Sequence, residues 1–485
     1  MTRGSPIASV AVAGGGIVGW SAAAALKRRL PQLTVTVIAL PPPPDALADR
    51  LVSTLPSIAD FHDDLGLTEA DTVIRARSSY RLGTRFEGWG RRGYIHAYGD
   101  CGQTIDAAAF HHHWVRAAKS GDVAPFHLHS AAAVMAEAGR FIHPHAADAA
   151  AGTFGYGLHV DPSQYRELMR AYALHLGAVE RGAAIANVRL RGEDGFIEAV
   201  EIDGAEVAAD LFVDATGPDA LLRSQLDSEQ EDWSGWLACD RILFAEAQSD
   251  IDNGKPLDQV TAMPAGWRWQ AGGSSGLVYS SRHVTDSKAR QEFGKAEETV
   301  AIRQRRLTKP WVRNCVAIGD SAVAIEPLEW TNLHLAHSAI DRLIAMMPDR
   351  DCSAVELWDY NRQANAEADR VRDLLILHYA VADRAEPFWN DAPELPPSLV
   401  HTLTQFRERG RLPFYEEETF SRDSWLSVLL GQGVVPSRFD PLVDLTPEDQ
   451  SKRVMAEMRE RISAYVSTLP SHSDYLRNLS LQAAR

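Results

Sequence analysis

The stretch from Val10 to Trp20 constrains this chain more than any other, because Val-Ala-Val-Ala runs directly into Gly14-Gly15-Gly16-Ile17-Val18-Gly19-Trp20. A short apolar run rich in Val and Ala reads as a buried parallel strand. The alanine-rich segment Ser21–Leu30 then reads as a helix. Between them each glycine answers a steric demand. Gly14 permits the tight bend, Gly16 lets a pyrophosphate approach the backbone, and Gly19 lets the helix close on the strand. Gly15, Ile17 and Val18 complete the turn. The helix start beyond them offers free N–H groups and a positive dipole end to an anion. This order of strand, turn and helix is a dinucleotide-binding fingerprint. A glycine-rich turn without a ligand is the plainer alternative.

With 485 residues, 45% of them hydrophobic and 24% charged, the chain is long enough for two or three units around a large core. Its net charge of −16 argues against nucleic acid or an anionic membrane as partner. No apolar run is long enough to span a bilayer, and no basic segment with a cleavable apolar core opens the chain, so a cytoplasmic location is expected. Cys101, Cys239, Cys315 and Cys352 are scattered and form no CxxC pair, which suggests neither a zinc knuckle nor a disulfide framework.

Leu33–Leu40 reads as a second parallel strand. Dinucleotide folds place an acid at the end of this strand to hold a ribose. Here Ala39 and Leu40 stand there, followed by Pro41–Pro44, and Asp45 is the nearest acid. Further on, His111, His112 and His113 open a helix at Phe110–Trp114. Successive helical residues point about 100° apart, so the three cannot converge on one ion, and no metal is expected. Two more apolar strands end in glycine-bearing turns: Ala209–Val213 before Asp214-Ala215-Thr216-Gly217, and Trp311–Ile318 before Gly319-Asp320. Both resemble flavin-binding turns. Three such turns in this order favour FAD over NAD.

At this point the chain resembles the flavin-dependent tryptophan halogenases over nearly its whole length. The resemblance is carried by Gly14–Trp20, Phe110–Trp114, Asp232-Trp233-Ser234-Gly235-Trp236, Gly266-Trp267-Arg268-Trp269, Ile325-Glu326-Pro327-Leu328-Glu329, Pro387-Phe388-Trp389 and Leu430-Gly431-Gln432-Gly433. It implies FAD held by Gly14–Gly19, Asp214, Gly217, Gly319 and Asp320, reduced by a separate flavin reductase. It also implies oxygen activation on the flavin, chloride or bromide as halide near Thr331, and an aromatic small-molecule or peptide substrate against His96 and Tyr98. Glu329 is the catalytic acid of that scheme. Trp267 and Trp269 belong to a motif thought to keep substrate away from the flavin; two apart on a strand, they suit a plain core role equally.

The departures are as specific. The family's halogen-carrying lysine lies in Phe-Lys-x-Gly, and here that segment is Tyr80-Arg81-Leu82-Gly83. A guanidinium stays protonated and offers no neutral nitrogen for a chloramine. The family's Gly-Glu-Ala-Thr segment has become Val52-Ser53-Thr54-Leu55, and Trp330 and Asn332 flank Thr331 where the family has Ser and Gly.

The expected fold is α/β, an FAD-binding Rossmann-like flavoprotein monooxygenase fold. Its FAD unit spans 1–345, with nucleotide-binding parts at about 5–90, 155–230 and 308–345. Substrate-covering segments are inserted at about 91–154 and 231–307, and a mainly helical part follows at 346–485. A homodimer is compatible with this reading. The expected function is an FAD-dependent oxidoreductase acting on an aromatic substrate, with halogenation itself in question. The competing reading is a catalytically silent family member that binds a ligand or a protein.

Overall fold

In the computed structural model, which describes residues 5–483 except 122, 148–151, 183, 246–253, 295 and 392–393, the opening glycine turn sits at the centre of a parallel sheet. The chain forms two units. The first comprises residues 1–78, 160–241 and 300–369, and the second residues 79–159, 242–299 and 370–485. Most of the helical C-terminal stretch and of the segments expected as insertions lies in the second unit, but 231–241, 300–307 and 346–369 fall in the first, and 79–90 in the second.

In the first unit, strands β1 (Ser9–Ala13), β2 (Thr34–Ile38), β3 (Val179–Arg181), β4 (Leu211–Asp214), β5 (Trp311–Val312) and β6 (Cys315–Ala317) form one sheet in the order β5-β6-β4-β1-β2-β3. All pairings are parallel except β5 with β6. The valine-rich interiors of β1 and β2 are buried because both faces of the sheet are covered. One cover is a set of helices: α1 (Ile17–Arg29), α2 (Pro162–His175) and α3 (Asn332–Ala345). Asp161 caps α2 by accepting from the Ser163 and Gln164 amides, with Pro162 at the first helical position. The other cover is an antiparallel meander of Ile185–Leu190, Ile197–Ile202 and Ala205–Ala208. Its Ile197, Val200 and Ile202 pack with Ala11, Ala13, Ile38 and Phe212 of the sheet.

The second unit is built on a seven-stranded sheet. Its order is Ala296–Ala301, Arg241–Ala245, Ser274–Tyr279, Gly266–Ala271, Asp258–Met263, Gly83–Glu87 and Tyr94–Ala97. A separate two-stranded ladder pairs Ser79–Arg81 with Gly157–His159. The helices of this unit include Phe110–Ser120, Pro397–Arg409, Arg422–Gly431 and Glu448–Thr468. Among the described residues no helix is long and apolar enough to cross a membrane.

Candidate functional site

Parallel registration brings the three glycine-bearing turns to one edge. Ala13 lies beside Asp214, and Asp214 beside Ala317, so β1, β4 and β6 end in a row. Strands leave β1 toward β2 on one side and β4 on the other, which makes this edge the place where open α/β sheets take ligands. Gly14 has φ +129°, and a Cβ there would lie 2.2 Å from the Ala215 carbonyl oxygen. A Cβ on Gly19 would lie 2.0 Å from the Gly14 carbonyl oxygen, so only glycine lets α1 close on the loop. The Gly14 and Gly15 amides donate to the carbonyls of Ile38 (2.9 Å) and Leu40 (2.7 Å). Ile17 and Val18 begin α1 and are buried, and a Cβ on Gly319, whose φ is +56°, would lie 3.1 Å from the Val18 side chain.

The two aspartates expected at the flavin are both engaged by the chain. Asp214 accepts from the amide (3.0 Å) and hydroxyl (2.7 Å) of Thr216 and from the Leu222 and Arg223 amides (2.8 Å each). Its carboxylate therefore folds its own turn, and the turn's Gly217 exchanges hydrogen bonds with the Ser321 hydroxyl at 3.0 Å. Asp320 accepts from the Ala48 amide (3.1 Å) and from Asn332 Nδ2 (3.3 Å). Burial pushes its carboxyl up to about 7 against those two hydrogen bonds, with Asp49 and Asp45 adding to the rise.

Asp49, which carries no sequence signal, turns out to be central. It ends the short 3-10 turn Leu47–Asp49, and its carboxylate accepts from the Ile17 amide at 2.5 Å. The free N–H at the start of α1 thus meets an anion from the chain itself. A Cβ on Gly16 would lie 2.3 Å from the Asp49 carboxylate, so the absent side chain at 16 is what lets an anion approach. Glycine cradle, helix start and selected charge all fit a dinucleotide diphosphate. Occupation by FAD therefore asks Asp49 to give way.

At the N-terminus of α3 the backbone is held in an uncommon form. Glu329 has φ +66° and Trp330 φ +61°, two successive non-glycine residues in the left-handed region. Such residues cost on the order of 1 kcal/mol each and cluster at functional sites. Glu329, Trp330 and Thr331 are all buried, and the Thr331 hydroxyl has no hydrogen-bond partner among the described residues. An orphaned buried donor beside a helix start is chemically suited to a halide, while the indole of Trp330 fills neighbouring space.

In the second unit Arg81 is fully buried. Its Nε pairs with Asp258, its Nη1 donates to the Tyr98 hydroxyl, and its Nη2 donates to Thr84 Oγ1 at 2.6 Å. Asp258 also holds His159 Nε2 at 2.6 Å, and His159 Nδ1 lies 3.3 Å from the Ser79 hydroxyl. Burial works to raise the Asp258 carboxyl, but the charges and hydrogen bonds of Arg81 and His159 prevail and hold it below its ordinary value. Tyr98 is thus a partner of Arg81 as well as a wall, with His96 edge-on to it at 5.8 Å between ring centres. Phe420 lies 6.1 Å from His96 and also lines a cavity of about 360 Å³. There Arg370 lies between the rings of Tyr415 (3.9 Å) and Trp425 (4.4 Å), with Glu418 at 2.9 Å. None of these residues was singled out from the sequence. Trp267 and Trp269 are buried side by side, Trp267 donating to the Tyr379 hydroxyl at 2.9 Å.

The histidine run behaves as core. His111 Nε2 lies 2.9 Å from the Gly410 carbonyl and His113 Nδ1 2.9 Å from the Ser451 hydroxyl, while His112 stacks on His111. Burial lowers the pKa of all three. All four cysteines are buried and free.

Comparison with known proteins gives the family. The tryptophan halogenase family model matches residues 9–448. The fold matches BrvH, a flavin-dependent halogenase from Brevundimonas sp. BAL3, at 35% identity with a TM-score of 0.90, covering 98% of this chain and 99% of that one. It likewise matches Xcc4156, a flavin-dependent halogenase from Xanthomonas campestris, at 32% identity with a TM-score of 0.91 and 98% coverage of both. The tryptophan 6-halogenase ThaL of Streptomyces albogriseolus is 27% identical over 98% of each chain. The chain therefore belongs to the tryptophan halogenase family, and it is an enzyme of the flavin-dependent oxidoreductase type.

Proposed function

We propose that this protein is an FAD-dependent oxidoreductase that modifies an aromatic, tryptophan-like or peptide-like substrate without the lysine route to halogen transfer. The observation that carries the reading is Arg81, buried and ion-paired with Asp258 where the family's lysine stands. An Arg at this position keeps its proton, and its nitrogens are already directed at Asp258, Tyr98 and Thr84. When bound, reduced FAD supplied by a separate flavin reductase provides the activation of oxygen. Gly14–Gly19, Gly217 and Gly319 would hold the dinucleotide by backbone approach, while the Asp214 and Asp320 side chains keep their turns in shape. Glu329 supplies a buried acid and Thr331 an orphaned hydroxyl suited to chloride or bromide. His96, Tyr98, Tyr415, Phe420 and Trp425 give flat apolar surfaces for an aromatic ring.

A second reading is a silent member that binds a ligand or a protein partner. It is favoured by the Asp49 carboxylate on the α1 amide. One experiment separates the two. Purified protein is titrated with FAD by flavin fluorescence, then incubated with a flavin reductase, bromide, and free and peptide-borne indoles, with products read by mass spectrometry. The proposal expects quenching and oxidised products without a bromine isotope doublet. A doublet from the unaltered protein overturns the restriction on halogenation. Absence of FAD binding overturns the enzymatic reading.

A further inference from the structure

Three carboxylates crowd the mouth of the glycine turn, and one of them stands on the anion position. Asp49 Oδ1 lies 2.5 Å from the Ile17 amide, and the place a Cβ would take on Gly16 lies 2.3–2.7 Å from the atoms of its carboxyl group. The turn that carries it is pinned from the other side, since the Ala48 amide donates to Asp320 at 3.1 Å. The Leu47–Asp49 turn therefore acts as a latch, with one end on α1 and the other on the 319–321 turn.

We propose that Asp49 is a built-in occupant of the diphosphate position, which the dinucleotide must displace, so that cofactor loading competes with this side chain. The proposal rests on the FAD reading above and adds to it a residue that sets cofactor affinity. A carboxylate and a diphosphate cannot share one helix start, because each places negative charge on the same N–H groups. The carboxylate of Asp49 rests on the Ile17 amide and faces the charge of Arg166, and its release needs the 47–49 turn to swing while the sheet and α1 stay in place.

The charged groups around the latch give the competition a pH dependence. Arg166 of α2 faces Asp49 and stabilises its charge, as does the Ile17 amide of α1, whereas burial opposes it and brings the carboxyl up to about 6. Asp320 of the 319–321 turn feels the charge of Asp49, which with Asp45 adds to the rise of its carboxyl. From α3 the neighbour is the neutral Asn332, while His334 of that helix is held by Ser57 at 2.7 Å and Glu367 at 3.3 Å. The displaced Asp49 carboxyl stays beside the arriving phosphates, whose charge favours its protonated form more than burial did, so binding takes up a proton. Affinity then falls as pH rises above about 6.

The test uses the full chain, unaltered and as Asp49→Asn and Asp49→Ala, titrated at pH 6 and pH 8 with FAD, with ADP, and with FMN. ADP carries the diphosphate without the flavin ring, and FMN carries the ring without the diphosphate. Both variants are expected to bind FAD and ADP at least tenfold more tightly than the unaltered protein at pH 8. They should lose most of its preference for pH 6 and leave FMN unchanged. An Asp320→Asn control keeps the preference if Asp49 is its source. Equal FAD affinity in all proteins overturns the latch and leaves the FAD reading standing. Tighter ADP without FAD binding in any protein upholds the latch and overturns the flavin reading. No binding of either nucleotide by any protein overturns both.

Discussion

Two buried aspartates face opposite partners in the two units, and the contrast shows what each site can give up. Asp49 of the first unit is satisfied mainly by a neutral amide, and burial pushes its carboxyl up to about 6. Asp258 of the second unit is bracketed by Arg81 and His159, which hold its carboxyl down. A carboxylate held by dipoles is replaceable by another anion. A buried carboxylate holding a guanidinium is not, because each charge left behind would be uncompensated. The opening glycine motif, intact in sequence, is thus the site that must rearrange. The lysine site, altered in sequence, is rigidly set.

The sharpest way to break this contrast is Asp258→Ala. It strands the fully buried Arg81 guanidinium without its counter-charge, and a loss of about 3–5 kcal/mol in chemical denaturation is expected. Replacing both partners, as Arg81→Met with Asp258→Leu, should recover most of it. If the single change costs under about 1 kcal/mol, the pair is not the anchor described. Next in size is Asp214→Ala. It orphans the Leu222 and Arg223 amides and the Thr216 donors, and is expected to cost about 2–3 kcal/mol by the same measurement.

Arg81→Lys probes chemistry more than stability. A lysine keeps the charge but loses the fork that reaches Tyr98 and Thr84, at a cost of about 1–2 kcal/mol. Beside an ionised Asp258 it stays protonated, so the single variant should give no bromination with reductase present. Arg81→Lys combined with Asp258→Asn removes that field and should yield a bromine doublet. A doublet from the single variant would show that Asp258 does not control the position.

The smallest expected effect is in pH, and its two arms have opposite sign. The Asp49 carboxyl is raised on folding, so its contribution is full at low pH and fades as pH rises from about 4 to 6. Asp258 is lowered, so its contribution is full above the ordinary carboxylate range and fades as pH falls through it. Thermal unfolding of Asp49→Asn against the unaltered apo protein should differ in slope between pH 4 and 6. Buried His62 and His129, each brought down to about 4, give acid lability common to both proteins, which the comparison cancels.

The glycine turns were legible from sequence because their constraint is steric: at Gly14 and Gly19 any side chain collides with backbone within 2.2 Å. The parallel strands were legible for a related reason, as runs of Val and Ala between such turns have few alternatives. Asp258 was not, since it begins an ordinary strand and acquires meaning only through pairing with Gly83–Glu87, far earlier in the chain. Asp49 was hidden too, reading as one more acid after a proline-rich loop. Asp214 and Asp320 were visible as motif members, but the motif does not say which way a carboxylate turns. Backbone demands are written locally in a sequence, whereas side-chain partnerships are written across it.

Gly276 sits opposite Trp269 in the ladder between Gly266–Ala271 and Ser274–Tyr279, and a methyl group there would fall 1.9 Å from the indole. The two positions are therefore free to drift only in step: enlarging one is forbidden until the other shrinks, and shrinking the tryptophan first leaves a hole. Trp269 is thereby locked by its neighbour across the ladder, whatever stands at the positions that follow it.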